Sequence, residues 1–254
     1  MNATAWLALA GLAWAHVAPL PAQDVASRVN AVRQGTVRMT YRARPGVCGN
    51  AHGTAWMSHR DADDGLTDGA SGCLSGVVRL SIERADGQTI SVRSTFGAPW
   101  PSGAAVTNLG DVSPAGAARY LLELARTLGG RNASDAIAGA ALADGVHITP
   151  ELETLVRDAN LPTHVRTSAL FWLGQDQNEP TAELVAMYGS LQPLELREQF
   201  VFVLSQRRDD RAVEELMRLA QHAPDPEIRK RSMFWLGQSA EPRAIRFLRD
   251  ILTR

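Results

Sequence analysis

The chain has almost no lysine: of its 26 basic residues only Lys230 is one. It has two cysteines, few aromatics and no bias of charge, with a formal net charge of −1 over 254 residues. The arginine preference is a matter of composition and carries no mechanism. The charge balance excludes more. Between residues 23 and 113 nine basic residues face eight acidic ones, and beyond 113 there are 17 against 19. Neither half is basic enough to neutralise a row of phosphates, so a nucleic-acid partner is not expected. No G-x-x-x-x-G-K loop, no G-x-S-x-G elbow and no G-x-G-x-x-G fingerprint occurs. Three common routes to catalysis are therefore missing.

Only the first residues offer a sustained apolar run. Residues 1–22 carry no charged side chain, and Ala5–Ala15 (AWLALAGLAWA) is followed by HVAPLPA. A run this short, ending in small residues and prolines, reads as a signal peptide over 1–22 rather than a span, which needs about 20 residues. Leu20 would sit where a small residue is usual before cleavage at Ala22; a buried N-terminal helix is the other reading. The protein is thus expected to be periplasmic or secreted, with no stable membrane insertion after processing. Cys48 and Cys73, 25 positions apart in Gly-rich surroundings, are expected to form one disulfide in an oxidising compartment. Closing that loop would contribute roughly 3 kcal/mol in the chain-entropy model.

Two periodicities divide the rest. Val25, Val29 and Val32 lie at helical spacing. Val37, Met39 and Tyr41 then alternate with Arg38, Thr40 and Arg42, as do Val78, Leu80 and Ile82 with their neighbours. Asp86-Gly87 between that second run and Ile90/Val92 predicts a hairpin. At Asp111-Val-Ser-Pro the pattern changes: Ser113 is a good N-cap and Pro114 suits the first helical position. From there to Arg254 helical runs are broken at Gly129-Gly130, Gly145, Pro162, Pro193 and Pro224-Asp-Pro226.

Within this helical region a single segment recurs three times, as VRTSALFWLGQ (165–175), LREQFVFVLSQ (196–206) and IRKRSMFWLGQ (228–238). Four columns are identical: Arg166/Arg197/Arg229, Phe171/Phe202/Phe234, Leu173/Leu204/Leu236 and Gln175/Gln206/Gln238. Each copy leads through a polar turn into a second helix. One such pair cannot bury its own apolar surface, so the units must stack. At about 100° per residue Val165, Ala169, Trp172 and Leu173 form a core stripe, and Phe171 lies off it. The Phe column is therefore expected to pack between repeats, with an aromatic binding strip as the sharper alternative. The Arg column is expected to bond carboxylates or backbone carbonyls inside the stack, with an anion-binding row as its alternative.

These segments, with Asp225-Pro226 entering one first helix and Pro242-Arg-Ala entering a second, resemble the HEAT repeat family. They are similar in particular to its short PBS-lyase HEAT-like, ARM-type form. The resemblance covers 132–254, with clear repeats at 162–192, 193–224 and 225–254 and a degenerate unit at 132–161. It implies a protein-interaction scaffold. Deoxyhypusine hydroxylase is similar in architecture and binds a di-iron centre through paired His-Glu dipeptides, and bilin lyases share the repeat. This chain has no His-Glu dipeptide, and His147, His164 and His222 fall at unmatched positions. A relative of such an oxidoreductase or lyase that has lost its metal motifs is one alternative.

Another alternative lies in residues 48–73, where His52, His59, Asp61, Asp63 and Asp64 cluster. Such a set can bind metal, but the later Glu of a calcium loop is missing, and a solvated polar loop is the simpler reading. The expected fold is thus α+β: a small antiparallel β module over 23–112 with a disulfide-tied loop, then an all-α HEAT-like solenoid over 113–254. Neither catalysis nor a cofactor is expected. Partners are expected to be proteins, bound on the solenoid surface.

Overall fold

The structure, a computed structural model, describes residues 24–49, 55–57, 76–96, 100, 105–176 and 179–253. The expectations for the signal segment, Cys73 and the loop's histidines and aspartates lie outside the described residues. So does the Cys48–Cys73 pairing.

A short helix α1 (Asp24–Asn30) leads into strand β1 (Gly35–Arg42). Strands β2 (Val47–Gly49) and β3 (Ala55–Met57) form a separate two-stranded ribbon. Strands β4 (Val77–Ala85), β5 (Gln88–Phe96) and β6 (Val106–Asp111) complete a sheet of order β5-β4-β1-β6. The hairpin forms where Asp86-Gly87 predicts it: both residues have positive φ (51° and 78°). That backbone twist matches the strands it joins. The alternation also holds. Val37, Met39, Tyr41, Val78, Leu80, Ile82, Val92 and Phe96 are all buried on one face.

The sheet differs from the expectation in one respect. β1 pairs antiparallel with β4 but parallel with β6, so the sheet is mixed rather than purely antiparallel. β6 (VTNLGD) is almost wholly exposed, and an exposed edge strand shows no apolar alternation to read.

Two helices cover the sheet. In α2 (Pro114–Thr127) the Ser113 hydroxyl accepts from the Gly116 N–H, and Ala117, Ala118, Leu121 and Ala125 are fully buried. In α3 (Gly130–Ala141) the side chain of Asn132 takes the place of a neighbouring strand. Its amide donates to the Ile90 carbonyl (3.1 Å) and its oxygen accepts from the Val92 N–H (3.3 Å). The open edge of β5 is closed there. Gly139 lets α3 approach closely: a Cβ would lie 2.5 Å from Ser94 Oγ and 3.1 Å from the Tyr41 hydroxyl. That hydroxyl donates to the Gly139 carbonyl (2.8 Å). Beyond β1, Arg44 N–H donates to Leu142 O (2.9 Å), and Arg42 pairs with Asp144 (2.8 Å). Sheet and helices are tied by main chain as well as by core.

The remaining helices are α4 (Thr149–Arg157), α5 (Thr163–Gln175), α6 (Thr181–Met187), α7 (Leu194–Gln206), α8 (Asp210–His222), α9 (Pro226–Gln238) and α10 (Pro242–Leu252). They stand in two files. In the first, α3 touches α5, α5 touches α7 and α7 touches α9; in the second, α6 touches α8 and α8 touches α10. The degenerate unit supplies α3 and α4, so α3 both covers the sheet and opens the file. One continuous hydrophobic core runs from the sheet to Ala244 on α10.

Candidate interaction surface

The four repeated columns take four different places. Leu173, Leu204 and Leu236 are fully buried at the centre of each pair. The Arg column turns inward onto main chain, donating to Val156 O from Arg166 (2.8 Å), to Leu191 O from Arg197 (2.9 Å), and to Ala223 O (2.6 Å) and Pro224 O (3.0 Å) from Arg229. Each guanidinium satisfies carbonyls left open before its own helix begins, which otherwise would need water. These arginines serve the stack, not an anion. The Gln column lies at the helix ends, half-buried at Gln175 and exposed at Gln206 and Gln238.

The Phe column forms a surface. Phe171 meets Trp172 edge-on (5.2 Å) and stacks on Phe202 of the next repeat (6.2 Å). Phe202 meets Trp235 of the repeat after (5.3 Å), which meets Phe234 edge-on (5.1 Å). Five rings thus make an unbroken strip across α5, α7 and α9. None of them is buried; four are partly exposed, and Phe234 is 56% exposed. The spacing and tilts are those aromatic pairs favour. The column therefore packs between repeats and remains open to solvent along its length. Phe200, two residues from Phe202, is the true core ring, fully buried against Tyr188 (5.2 Å).

Sequence reasoning missed the residue that holds two repeats together. Arg207 follows the second copy, where the other copies have Asp176 and Ser239, so no column marks it. Its side chain is 5% exposed. It donates to the carbonyls of Gly174 (3.2 Å), Asp176 (3.2 Å) and Glu179 (2.6 Å), to Thr181 Oγ1 (2.6 Å) and to Asp209 (3.3 Å). Thr181 in turn donates to Asp209 (2.5 Å), and one repeat earlier Thr149 donates to Asp176 (2.9 Å). A threonine opening one second-file helix thus reaches an aspartate of the next turn, twice. Burial alone would raise the Asp209 carboxyl, but bonds from Thr181, the Ala212 N–H and Arg207 hold it below its ordinary value. Glu179 moves the other way, raised by burial and by Glu153, Glu183 and Asp176 nearby. On the surface Arg231 joins α9 to Glu198 on α7 (3.0 Å), and Arg243 joins α10 to Asp210 on α8 (2.5 Å).

Concavities are modest. One of about 170 Å³ lies beside Trp235, Arg207 and Gln238, and one of about 350 Å³ is rimmed by Arg119, Arg126, His147, Glu123 and Glu151. His147, His164 and His222 are exposed on separate elements, and no group of three metal-ligating side chains occurs among the described residues. No described helix is long and apolar enough to cross a membrane.

Comparison with known protein families gives one match. The family model for HEAT repeats matches residues 181–254. That stretch of the chain is similar to HEAT repeats. It contains α6 to α10, hence the second and third copies and most of the aromatic strip. HEAT repeats generally mediate protein interactions. Searches of curated proteins and of solved structures each found no match.

Proposed function

We propose that the protein is an exported, non-catalytic scaffold that binds other proteins on the HEAT-repeat surface carrying the aromatic strip. The observation that carries this reading is the unbroken row Trp172–Phe171–Phe202–Trp235–Phe234, open to solvent across three repeats. Stacking alone requires the buried Leu column and the inward Arg column. It does not require a second row of rings on the outside. Partly exposed aromatic side chains offer large rigid contact area at low entropic cost, and such residues dominate the energetics of protein interfaces. Export rests on the apolar run Ala5–Ala15 and on the two cysteines, and it sets the compartment from which a partner would come.

The test uses the full chain and a Phe171→Ser/Phe234→Ser variant, two rings of the strip outside the hydrophobic core. Each is used to purify partners from the envelope fraction, with circular dichroism melts to show that the fold is kept. The proposal expects a protein recovered in near-stoichiometric amount by the parent and lost with the variant. An identical set of recovered proteins from both would contradict it. Export is tested separately by N-terminal sequencing of the purified protein, which is expected to begin at Gln23.

A further inference from the structure

Asp176, Arg207 and Ser239, which follow the three copies of the repeat, leave their helices alike. All are extended C-caps, with φ of −75°, −90° and −79°, and each N–H donates to the leucine carbonyl of its own copy. Their side chains therefore set out in one direction, back toward the preceding repeat. Asp176 meets Thr149 there (2.9 Å), and Arg207 meets Thr181 (2.6 Å) while its guanidinium takes the Gly174, Asp176 and Glu179 carbonyls. Ser239 is too short to do the same, and its hydroxyl accepts from the Glu241 N–H of its own turn (3.1 Å). In front of it lies the cavity of about 170 Å³, walled by Ser205, Gln206, Val213, Trp235, Gln238 and Ser239. Ser205 and Arg207 stand in the columns of Gly174 and Asp176. Among the described residues no side chain takes up the carbonyl of either. The cavity sits between the second and third copies, within the stack rather than at its end.

Three features of this cavity select a guanidinium. Both α7 and α9 end on it, and the carbonyl end of a helix carries partial negative charge. Trp235 supplies an aromatic wall, against which a planar cation stacks. The third feature is a precedent in the chain itself, since one repeat earlier the corresponding place is filled by the guanidinium of Arg207. Room is sufficient: a void of about 150 Å³ holds a benzene-sized group. The neighbouring cations are turned elsewhere. Arg207 lines the cavity with its stem but sends its head to the preceding repeat and Asp209. Arg243 crosses the same interval on the surface, onto Asp210, Glu214 and Glu241, and is not a wall of the cavity. We infer that this cavity takes the guanidinium of an arginine on a partner protein, in the place that Arg207 occupies one repeat earlier. Trp235 belongs to the strip as well, so a partner lying on the rings has the cavity within reach. This rests on the interaction reading above and names one side chain of the partner.

The test titrates the full chain with N-acetyl-arginine amide, and with its citrulline and lysine counterparts, followed by NMR. Citrulline keeps the shape of arginine without the charge, and lysine keeps the charge without the planar fork. The arginine probe is expected to shift the Trp235 indole and the Ser205 and Gln238 amide resonances saturably. The other two are expected to bind at least about tenfold more weakly. Ser239→Arg supplies a guanidinium from within the chain; it is expected to abolish binding and to raise the melting temperature by about 2–4 °C. Val213→Phe fills the cavity from α8 without charge and is expected to abolish binding too, whereas Ser239→Ala should leave it unchanged. Three results would overturn the inference: no saturable binding of the arginine probe, equal binding of either counterpart, or binding that survives both Ser239→Arg and Val213→Phe. The interaction reading is judged separately. The Phe171→Ser/Phe234→Ser variant is expected to lose the partner yet to bind the arginine probe as the parent does, and Ser239→Arg to recover less of the partner. A partner recovered undiminished by Ser239→Arg would overturn the inference and leave the strip standing.

Discussion

The sheet and the helical stack bury their side chains by different logics. In the sheet region each fit occurs once: Tyr41 reaches the Gly139 carbonyl, Asn132 closes the edge of β5, and no other described residue repeats either contact. In the stack the same side chain meets a similar environment two or three times, as the Arg column does against successive carbonyls. A unique contact is all or nothing. A repeated contact is graded by which neighbour is present, so identical residues differ in burial along the file. Phe171, Phe202 and Phe234 are one column, and only the last is mostly exposed.

Substitutions can sharpen this contrast. The largest effect is expected for Phe200→Ala, which truncates a fully buried ring and should cost about 3–5 kcal/mol in urea unfolding. Phe202→Ala, two residues away on the strip, should cost about half that, since its ring is partly exposed. Equal costs would mean that the two sides of α7 are buried alike. Arg207→Met follows, at about 2–4 kcal/mol, because it strands the Gly174, Asp176 and Glu179 carbonyls. The unique fit of the sheet region is probed by Gly139→Ala, which overpacks against Ser94 and Tyr41 and should cost about 1–3 kcal/mol. A neutral result there would show that α3 can move off the sheet freely.

The smallest effect is one of pH. The Asp209 carboxyl has a folded-state pKa below its unfolded one, so its contribution is complete above the ordinary aspartate value of about 3.9 and is lost as pH falls through the lowered value. The melting-temperature gap between the parent and Asp209→Asn should therefore shrink on acidification below that point. A gap that widens in acid would mean that the carboxyl is not held ionised by Thr181 and Arg207.

Much of the architecture is legible in the chain because it depends on period. The alternation in β1 and β4, the Asp86-Gly87 turn and the threefold segment need only local spacing to be seen. What escapes reading depends on a neighbour rather than on the residue. β6 is exposed and so carries no alternation, and its parallel pairing with β1 follows from where the chain returns. Arg207 stands in no column, and four of its five partners come from the preceding turn. The strip stays one of two open readings in the sequence. An off-stripe Phe reveals that it leaves the core of its own pair, but not how far the next repeat covers it.

The columns of the repeat are set by the neighbour stacked on them, and α9–α10 presents those columns uncovered. The pair Gly174→Ala and Gly237→Ala tests this most directly, since both glycines occupy one column of one sequence motif. Thermal and urea unfolding of the two variants should give opposite signs. Gly174→Ala is expected to destabilise by about 1–3 kcal/mol, because Val203 has no room to yield. Gly237→Ala is expected to be neutral or to stabilise by up to about 1 kcal/mol, the helical preference of alanine acting alone. Equal destabilisation at both positions would mean that the outer face of α9 and α10 is already covered, and would contradict the account.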